Sequence, residues 1–274
     1  DPALAQARML DILAIAPRIL DVPAERVHAK ARMRSRGGSQ YGKQGAGKGG
    51  SGERANIARR RLPLIEEGGL TFAVNFDDYL DVGIFLDHRV TRNLVREHAK
   101  QARRFLNLFA YTGGATVACA KAGASVCHVD AAKGMVAWAK ENARLTGLQE
   151  APIRWIVDDC AKFVEREIRR GKTYDAMIMD PPSYGRGPGG EVWKLEENLF
   201  PFVKLCARVL SDKPLFVVLN SYTTGLAPSV LGYILQMLVG KRFGGRVTWD
   251  ELGLPCTQSG MALPCGATGR WTAE

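Results

Sequence analysis

The chain has 274 residues, and its 38 basic and 28 acidic side chains give a formal net charge of +10 at pH 7. This length suits one large domain or one domain with an appendage, and a hydrophobic fraction of 46% supplies ample material for a core. No apolar run reaches the roughly 18 residues that a membrane-spanning helix needs. The composition therefore excludes integral membrane proteins, collagen-like proteins and wholly disordered chains.

The six cysteines form no Cys-x-x-Cys pair and do not cluster with histidine. Four of them fall within predicted helices or strands, which is typical of buried thiols in a reducing compartment. We therefore predict neither a disulfide framework nor a metal site. We expect a cytoplasmic protein, with the matrix of a mitochondrion or plastid as the alternative.

Most of the positive charge lies near the N-terminus. Residues 1–61 carry 13 Lys or Arg and 5 Asp or Glu, whereas the remaining residues carry 25 and 23 and are nearly neutral. A glycine-rich basic segment at about residues 32–61 lacks the apolar side chains that would order it, but its cations suit contacts with phosphates. We predict that it binds nucleic acid, with a solvated linker as the alternative. The candidate contact residues are Arg32, Arg34, Arg36, Lys43, Lys48, Arg59, Arg60 and Arg61.

The first predicted elements form a small N-terminal α+β extension over residues 1–81. Apolar residues recur at helical spacing over residues 3–20, which indicates an amphipathic helix. Val27–Met33 fits a short strand, and two apolar runs, Leu62–Glu66 and Leu70–Phe76, flank a Gly-Gly turn as in a β-hairpin.

From about Arg103 onward, apolar runs of strand length alternate with helical stretches, which defines the second predicted domain, residues 82–274. Buried strands that alternate with helices are typical of a parallel sheet covered on both faces. Two final strands with no helix between them indicate an antiparallel hairpin at the sheet edge. The predicted fold is thus α/β, with a seven-stranded, mostly parallel sheet. The strands are Phe105–Phe109, Ser125–Val129, Ile153–Val157, Ala176–Met179, Leu215–Leu219, Arg246–Leu252 and Ala267–Trp271.

The loop after the first of these strands, Asn107–Ala115, contains small residues that let a ligand approach the backbone and the next helix N-terminus. It does not follow the G-x-G-x-x-G pattern, which argues against a nicotinamide dinucleotide. A plain glycine turn is the alternative. The second strand ends at Asp130, whose carboxylate can accept both hydrogen bonds of a ribose diol. Asp159 follows the third strand, and for both residues a helix-capping role is the alternative.

The fourth strand ends in the most specific string, Asp180-Pro-Pro-Ser-Tyr184. Two consecutive prolines remove two backbone donors and fix φ, so the chain leaves the sheet rigidly. The Asp180 carboxylate then projects into the crevice at the carboxyl ends of the strands, where open α/β sheets bind ligands. A purely structural turn is the alternative.

In their order along the chain, Leu106–Ala124, His128–Asp130, Asp158–Phe163 and Asp180–Gly185 resemble the motif series of class I S-adenosylmethionine-dependent methyltransferases. The string Gly83–Arg89 resembles the G-x-F-L-D-x-R motif of large-subunit rRNA methyltransferases. The chain looks most like the guanine-N7 methyltransferase module at the C-terminal end of a bifunctional 23S rRNA enzyme. The likeness covers most of the chain and implies a Rossmann-like fold, S-adenosylmethionine as cofactor and large-subunit rRNA as partner.

The resemblance also implies roles for individual residues. His88 and Arg89 would face the methionine carboxylate of the cofactor, although Arg89 could instead pair with Asp87 or Asp81 and His88 could lie at the surface. Asp130 would bind the ribose and Asp159 the adenine. The remaining cofactor-binding residues would be Asn107, Phe109, Tyr111, Thr112, Gly113 and Asp180. Asp180, Pro181 and Pro182 would lie beside the methyl group as the catalytic set, with Tyr184 stacking on the target base.

The chemistry of the acceptor separates the possible reactions. Guanine N7 has a free lone pair and needs no general base, so positioning does most of the work. Cytosine C5 needs a thiolate nucleophile, but the fifth strand ends in Asn220-Ser221-Tyr222 without cysteine, and Cys160 falls in a predicted helix. Cytosine C5 is therefore disfavoured, and the resemblance implies guanine N7. The alternatives are cytosine C5 methylation, a non-catalytic RNA-binding protein and a small-molecule methyltransferase.

Overall fold

A computed structural model of the chain describes residues 2–29, 62–76, 82–186 and 192–273. The chain divides into two compact units, one comprising Asp1–Gly49 and Asn75–Gly83, and the other Gly50–Val74 and Ile84–Glu274. No helix within the described ranges is both long and apolar enough to cross a membrane.

The smaller unit contains the predicted first helix, α1 (Pro2–Leu20), followed by a 3-10 turn at Ala24–Arg26. The His28 and Phe76 rings stack with their centroids 4.6 Å apart. The strand that we predicted over 27–33 is not present at residues 27–29, and the rest of it lies outside the described residues.

The described residues of the larger unit form eleven strands and seven of the helices. The strands are β1 (Leu64–Glu67), β2 (Leu70–Ala73), β3 (Arg104–Leu108), β4 (Ser125–Asp130), β5 (Ile153–Val157), β6 (Ala176–Met179), β7 (Tyr184–Arg186), β8 (Val192–Lys194), β9 (Phe216–Ser221), β10 (Arg246–Pro255) and β11 (Ala262–Thr272). The helices are α2 (Arg89–Ala99), α3 (Gly114–Lys121), α4 (Lys133–Leu145), α5 (Cys160–Arg169), α6 (Leu195–Cys206), α7 (Pro228–Leu235) and α8 (Lys241–Phe243).

The predicted seven-stranded sheet is confirmed, with the order β10-β11-β9-β6-β3-β4-β5. The five strands from β9 to β5 run parallel, and the hairpin β10–β11 pairs antiparallel to β9. The chain passes from β3 outward to β4 and β5, then returns to β6 on the other side of β3. The strand order therefore reverses between β3 and β6, and a crevice is expected at their carboxyl ends.

Successive side chains of the central strands enter two separate cores, because a strand alternates its side chains between the two sheet faces. Met177 and Met179 of β6 pack in one core with residues of α5, α6 and α7. Ile178, between them, packs in the other core with Val95 of α2 and Cys119 of α3. This second face also carries the crevice.

The β1–β2 hairpin groups with the larger unit, although we had placed it in the N-terminal extension. Its Ala73 N–H donates to Asn142 Oδ1 of α4 at 2.9 Å, and Trp138 Nε1 donates to the Ala73 carbonyl at 3.0 Å. The Asn142 amide also donates to the carbonyl of Thr112 at 2.9 Å. These hydrogen bonds join the hairpin to α4. A domain boundary after residue 81 stays a prediction.

Sequence reasoning missed helix α2 and the short β7–β8 pair. Five of the eleven residues of α2 are charged or histidine, and only Thr91, Arg92, Val95 and Ala99 are buried. The apolar stripe is therefore too thin to be recognised by hydrophobic periodicity. A 3-10 turn, Leu86–His88, leads directly into this helix.

Candidate active site

The loop after β3 has an unusual backbone. Phe109 and Tyr111 adopt positive φ values of 55° and 49°, and Gly113 adopts 80°. Left-handed conformations cost free energy in residues with a Cβ, so the surroundings must hold them in place. The Tyr111 N–H donates to Asp130 Oδ2 at 2.8 Å, and the Ala110 N–H donates to the Val129 carbonyl at 3.1 Å. The end of β4 thus fixes the loop.

Gly113 allows helix α3 to begin close to α4. A Cβ at this position would lie 2.8 Å from the Cβ of Ala139. Because real Cβ atoms do not approach so closely, one of the two helices would have to move. Glycine is therefore required here by both its φ and its surroundings.

A cleft opens at the strand-order reversal between β3 and β6. It is bounded by the β3 loop, the start of α3, the end of β6 and the turn before α2. Six of the predicted site residues line it, namely His88, Asn107, Phe109, Tyr111, Thr112 and Asp180, and Gly113 lies in the same loop. The other lining residues, which sequence reasoning did not single out as ligands, are Ile84, Phe85, Thr91, Arg92, Ala110, Gly114, Ala115 and Ile178.

Two titratable side chains meet in this cleft. His88 Nε2 lies 3.2 Å from Asp180 Oδ2, and both side chains are largely buried. Asp180 Oδ1 has no hydrogen-bond partner in the described part of the chain. Asp180 Oδ1 can therefore accept a hydrogen bond from a ligand in the cleft, as a site for a charged or polar ligand requires.

Hydrogen bonds from two other parts of the chain fix the segment that follows Asp180. Trp193 Nε1 donates to the Pro182 carbonyl at 2.6 Å, and the Thr223 hydroxyl donates to the Ser183 hydroxyl at 2.8 Å. Tyr184 begins β7 and is 49% exposed. The two prolines and these bonds leave the Asp-Pro-Pro turn little freedom, while the Tyr184 ring remains accessible.

Neither Asp130 nor Asp159 is among the residues that line the cleft, and the two carboxylates bind different partners. Asp130 accepts from the N–H groups of Tyr111 and Ala132, both at 2.8 Å, so it links the β3 loop to the start of α4. Burial raises the pKa of Asp130, although these two hydrogen bonds act in the opposite direction. Asp159 caps α5 by accepting from the Lys162 N–H at 2.9 Å and does not line the cleft. The capping alternative therefore describes Asp159, and its role toward adenine stays a prediction.

Arg89 does not reach the cleft, contrary to our expectation. It begins α2 with an exposed side chain and lines a separate groove beside Glu66 and Leu254. The cation at the cleft is Arg92, whose guanidinium donates to both carboxylate oxygens of Glu67, at 2.6 and 2.7 Å. Had α2 been recognised, the helical spacing of His88, Arg92 and Val95 would have placed Arg92, rather than Arg89, on the buried face.

Asn107 is held by a buried polar chain beneath the loop. Its amide donates to Thr116 Oγ1 at 2.9 Å, and Thr116 Oγ1 lies 2.9 Å from His128 Nδ1. Burial, aided by the Lys140 ammonium, lowers the pKa of His128 to about 3. If the imidazole is neutral and its Nδ1 accepts a hydrogen bond from the Thr116 hydroxyl, the hydrogen bonds run from Asn107 through Thr116 to His128.

The remaining sequence predictions concern thiols, metals and RNA. Cys160 is fully buried, and this raises the pKa of its thiol well above the ordinary value. Among the residues that the structure covers, no three His, Cys, Asp or Glu side chains cluster as a metal site. The basic segment lies outside the described residues, so Arg32, Arg34, Arg36, Lys43, Lys48, Arg59, Arg60 and Arg61 stay predictions.

Comparison with known proteins identifies relatives of both the sequence and the fold. A family model described as S-adenosylmethionine-dependent methyltransferase matches residues 43–194. The ribosomal RNA large subunit methyltransferase K/L of Chromohalobacter salexigens is 43% identical over 245 residues, which are 89% of this chain and 30% of that protein. Its counterpart from Methylococcus capsulatus is 42% identical over 67% of this chain and 23% of its own. The chain thus spans less than a third of the length of these relatives.

Two solved structures share the architecture. The S-adenosylmethionine-dependent methyltransferase from Agrobacterium tumefaciens is 36% identical, with a TM-score of 0.72 over 77% of this chain and 70% of its own. The structure of SMU.776 complexed with SAH is 27% identical, with a TM-score of 0.63 over 77% of this chain and 56% of its own. Both support the class I fold that the sheet order indicates.

We predict that Gly113→Ala destabilises the protein more than Gly123→Ala does. Both glycines have a left-handed φ, which costs about 1–2 kcal/mol for alanine, but a Cβ at Gly123 meets nothing within 4 Å. The clash with Ala139 should add about 1–3 kcal/mol at Gly113. Denaturant unfolding measures the difference, and equal losses in the two variants would show that α4 does not restrict this loop.

The buried His128 should make stability depend on pH. Because the pKa of His128 is about 3 when folded and 6.5 in the free side chain, the unfolded chain binds the extra proton between these values. The contribution of His128 to the free energy of unfolding is therefore fully present above pH 6.5 and declines as the pH falls. Relative to His128→Gln, the wild type should lose about 1.5 kcal/mol between pH 6.5 and 5.

This comparison needs an exposed histidine as its control, and His98 at the end of α2 provides one. Denaturant unfolding of the wild type, His128→Gln and His98→Gln is measured at each pH. A constant difference between wild type and His128→Gln over this range would contradict the buried neutral imidazole.

Proposed function

Because the chain belongs to the S-adenosylmethionine-dependent methyltransferase family, we propose that it methylates a guanine at N7 in large-subunit ribosomal RNA. The cleft between β3 and β6 carries this proposal, since its polar residues lie where open α/β sheets bind ligands. The names of the two K/L relatives support rRNA as the substrate class. We further propose that the protein works in the cytoplasm.

The cleft fits the cofactor of the family. Gly114 lines the cleft where α3 begins, and Asp180 Oδ1 is buried without a partner among the described residues. In our proposal His88 binds the methionine end and the Asp130 carboxylate uses its remaining lone pairs for the ribose. Asn107, Phe109, Tyr111 and Thr112 form the walls, and Asp159 marks the adenine end. When bound, the cofactor supplies an activated methyl group on a sulfonium.

The protein's contribution to transfer would be positioning. Asp180, Pro181 and Pro182 form a rigid rim at the cleft, since Trp193 and Thr223 hold the turn from outside. The exposed ring of Tyr184 offers a stacking surface for a base. An N7 lone pair needs no proton removed before transfer, so the site needs only to orient the base and exclude water.

The cysteine chemistry required for cytosine C5 is less well supported. Cys160 lies near Asp130, but its buried thiol has a raised pKa and its sulfur accepts the Phe109 N–H at 3.3 Å. A thiol in this environment resists forming the thiolate that attack on cytosine needs. The residues that follow β9 are also not cysteine. Cytosine C5 methylation remains the second candidate, and one assay distinguishes the two products.

We expect the purified chain to transfer labelled methyl groups from S-adenosylmethionine to a large-subunit rRNA transcript made in vitro. Mass spectrometry of the digested RNA should show 7-methylguanosine, and a small-subunit rRNA transcript serves as the control substrate. Label in 5-methylcytidine would favour the second candidate. Tight cofactor binding without transfer to either RNA would favour a small molecule as acceptor, and absence of cofactor binding would indicate a non-catalytic RNA-binding protein.

We also propose that the basic segment binds rRNA phosphates. Arg59, Arg60 and Arg61 changed together to Ser should weaken RNA binding about tenfold or more and reduce the slope of log affinity against log salt by about 2. Cofactor binding, measured by calorimetry, should not change.

The matched control removes three cations at the amino ends of the strands, on the side of the sheet opposite the cleft. Lys121, Lys172 and Lys213 are exposed and precede the amino ends of β4, β6 and β9, far from the cleft. Equal losses of RNA affinity in the two triple variants would refute a dedicated role for the basic segment.

A further inference from the structure

Two buried polar side chains lie opposite each other on β9 and β11. Asn220 and Thr268 are register partners, and each is 0% exposed. Both polar atoms of the Asn220 amide and the Thr268 hydroxyl lack partners among the residues that the structure describes. Unpaired polar groups are costly in a protein interior, so a pair of them at one place requires an explanation.

These side chains lie on the sheet face that carries the cleft. Side chains alternate along β9, so Asn220 shares its face with Val218, which packs in the same core as Ile178. Ile178 lines the cleft. Because Met179 pairs with Leu219 in the parallel register, Asp180 and Asn220 come next to each other at the carboxyl ends of β6 and β9.

Tyr222 covers this polar pair. It is the next residue of its face after Asn220, and its ring lies against Gly266, where a Cβ would approach Tyr222 Cδ1 to 3.0 Å. The Tyr222 hydroxyl donates to Asp87 Oδ2 at 2.7 Å, in the turn that also carries His88. One side-chain hydrogen bond thus holds Tyr222 between the sheet face of the polar pair and the turn before α2.

We propose that Asn220 and Thr268 form the subsite that binds the hydrogen-bonding edge of the acceptor base, and that Tyr222 moves aside to admit it. This proposal rests on the proposed function. The Asn220 amide offers one donor group and one acceptor, which match the O6 and N1–H of guanine and leave the N7 lone pair free. The Thr268 hydroxyl can accept a hydrogen bond from the adjacent exocyclic amine of guanine.

A role in folding alone predicts a different outcome from base binding. If the pair is only structural, Asn220→Leu and Thr268→Val change stability and nothing else. Because unpaired polar groups are removed, both variants should keep or gain thermal stability in either case. Only base binding predicts that they also lose affinity for the base. Ser211→Ala is the matched control. The Ser211 hydroxyl is also buried and has no partner among the described residues, but it lies beside Tyr174 at the amino end of β6.

The test is saturation-transfer NMR of guanosine binding to the full chain saturated with S-adenosylhomocysteine, together with melting temperature and kcat/KM on the rRNA transcript. We expect the wild type and Ser211→Ala to bind guanosine, Asn220→Leu to bind it at least tenfold more weakly, and Thr268→Val several-fold more weakly. The kcat/KM should fall by similar factors, with cofactor affinity unchanged. Thr268→Val, which keeps the side-chain shape, decides the matter if Asn220→Leu does not fold.

Guanosine binding that is absent in the wild type, or that is unchanged in Asn220→Leu and Thr268→Val, would overturn the subsite. Binding that these variants abolish would support it even if the rRNA transcript is not methylated, and in that case only the proposed substrate would fail. Cytidine, tested in the same way, reports whether the amide prefers the other base.

Discussion

The two hydrogen bonds that Asp130 accepts, from the N–H groups of Tyr111 and Ala132, join the β3 loop to the start of α4. Tyr111 and Phe109 have left-handed backbones that are unfavourable for residues with side chains. The carboxylate at the end of β4 offsets part of that cost by satisfying a loop N–H in a buried place. The cleft wall, the start of α3 and the position of Gly113 against Ala139 all depend on this link.

The central sheet could be predicted from sequence because β3, β4, β6 and β9 are almost wholly buried and therefore read as short apolar runs. The edge strand β5 is only partly buried, but four of its five residues are apolar. Ile153–Val157 and Ala176–Met179 match the observed strands at both ends. Helix α2 could not be recognised in this way, since it packs on the sheet by a narrow stripe and carries charged groups on the rest of its surface. The β7–β8 pair is only three residues per strand, too short for a periodic signal.

Part of the candidate site could also be predicted, because the strands that carry it could be recognised from the sequence. Residues at the ends of strands, such as Asn107 and Asp180, follow from strand order alone. Arg92 did not, because its burial depends on a helix that the sequence pattern hides and on Glu67, which lies 25 positions earlier in the hairpin. Likewise, nothing in the local sequence distinguishes Asn220 from an ordinary strand-end residue until β11 places Thr268 opposite it.

The way in which the β1–β2 hairpin is attached has a consequence for how the chain can be divided. Asn142 bonds the hairpin with its carbonyl oxygen and the cleft loop, at Thr112, with its amide. A protein shortened to begin at residue 82 would lose Ala73, leave Trp138 Nε1 and Asn142 Oδ1 without these partners, and uncover part of α4. A portion that retains an intact cleft wall therefore includes the hairpin from Pro63 onward, and any fusion to another domain is best joined ahead of that point.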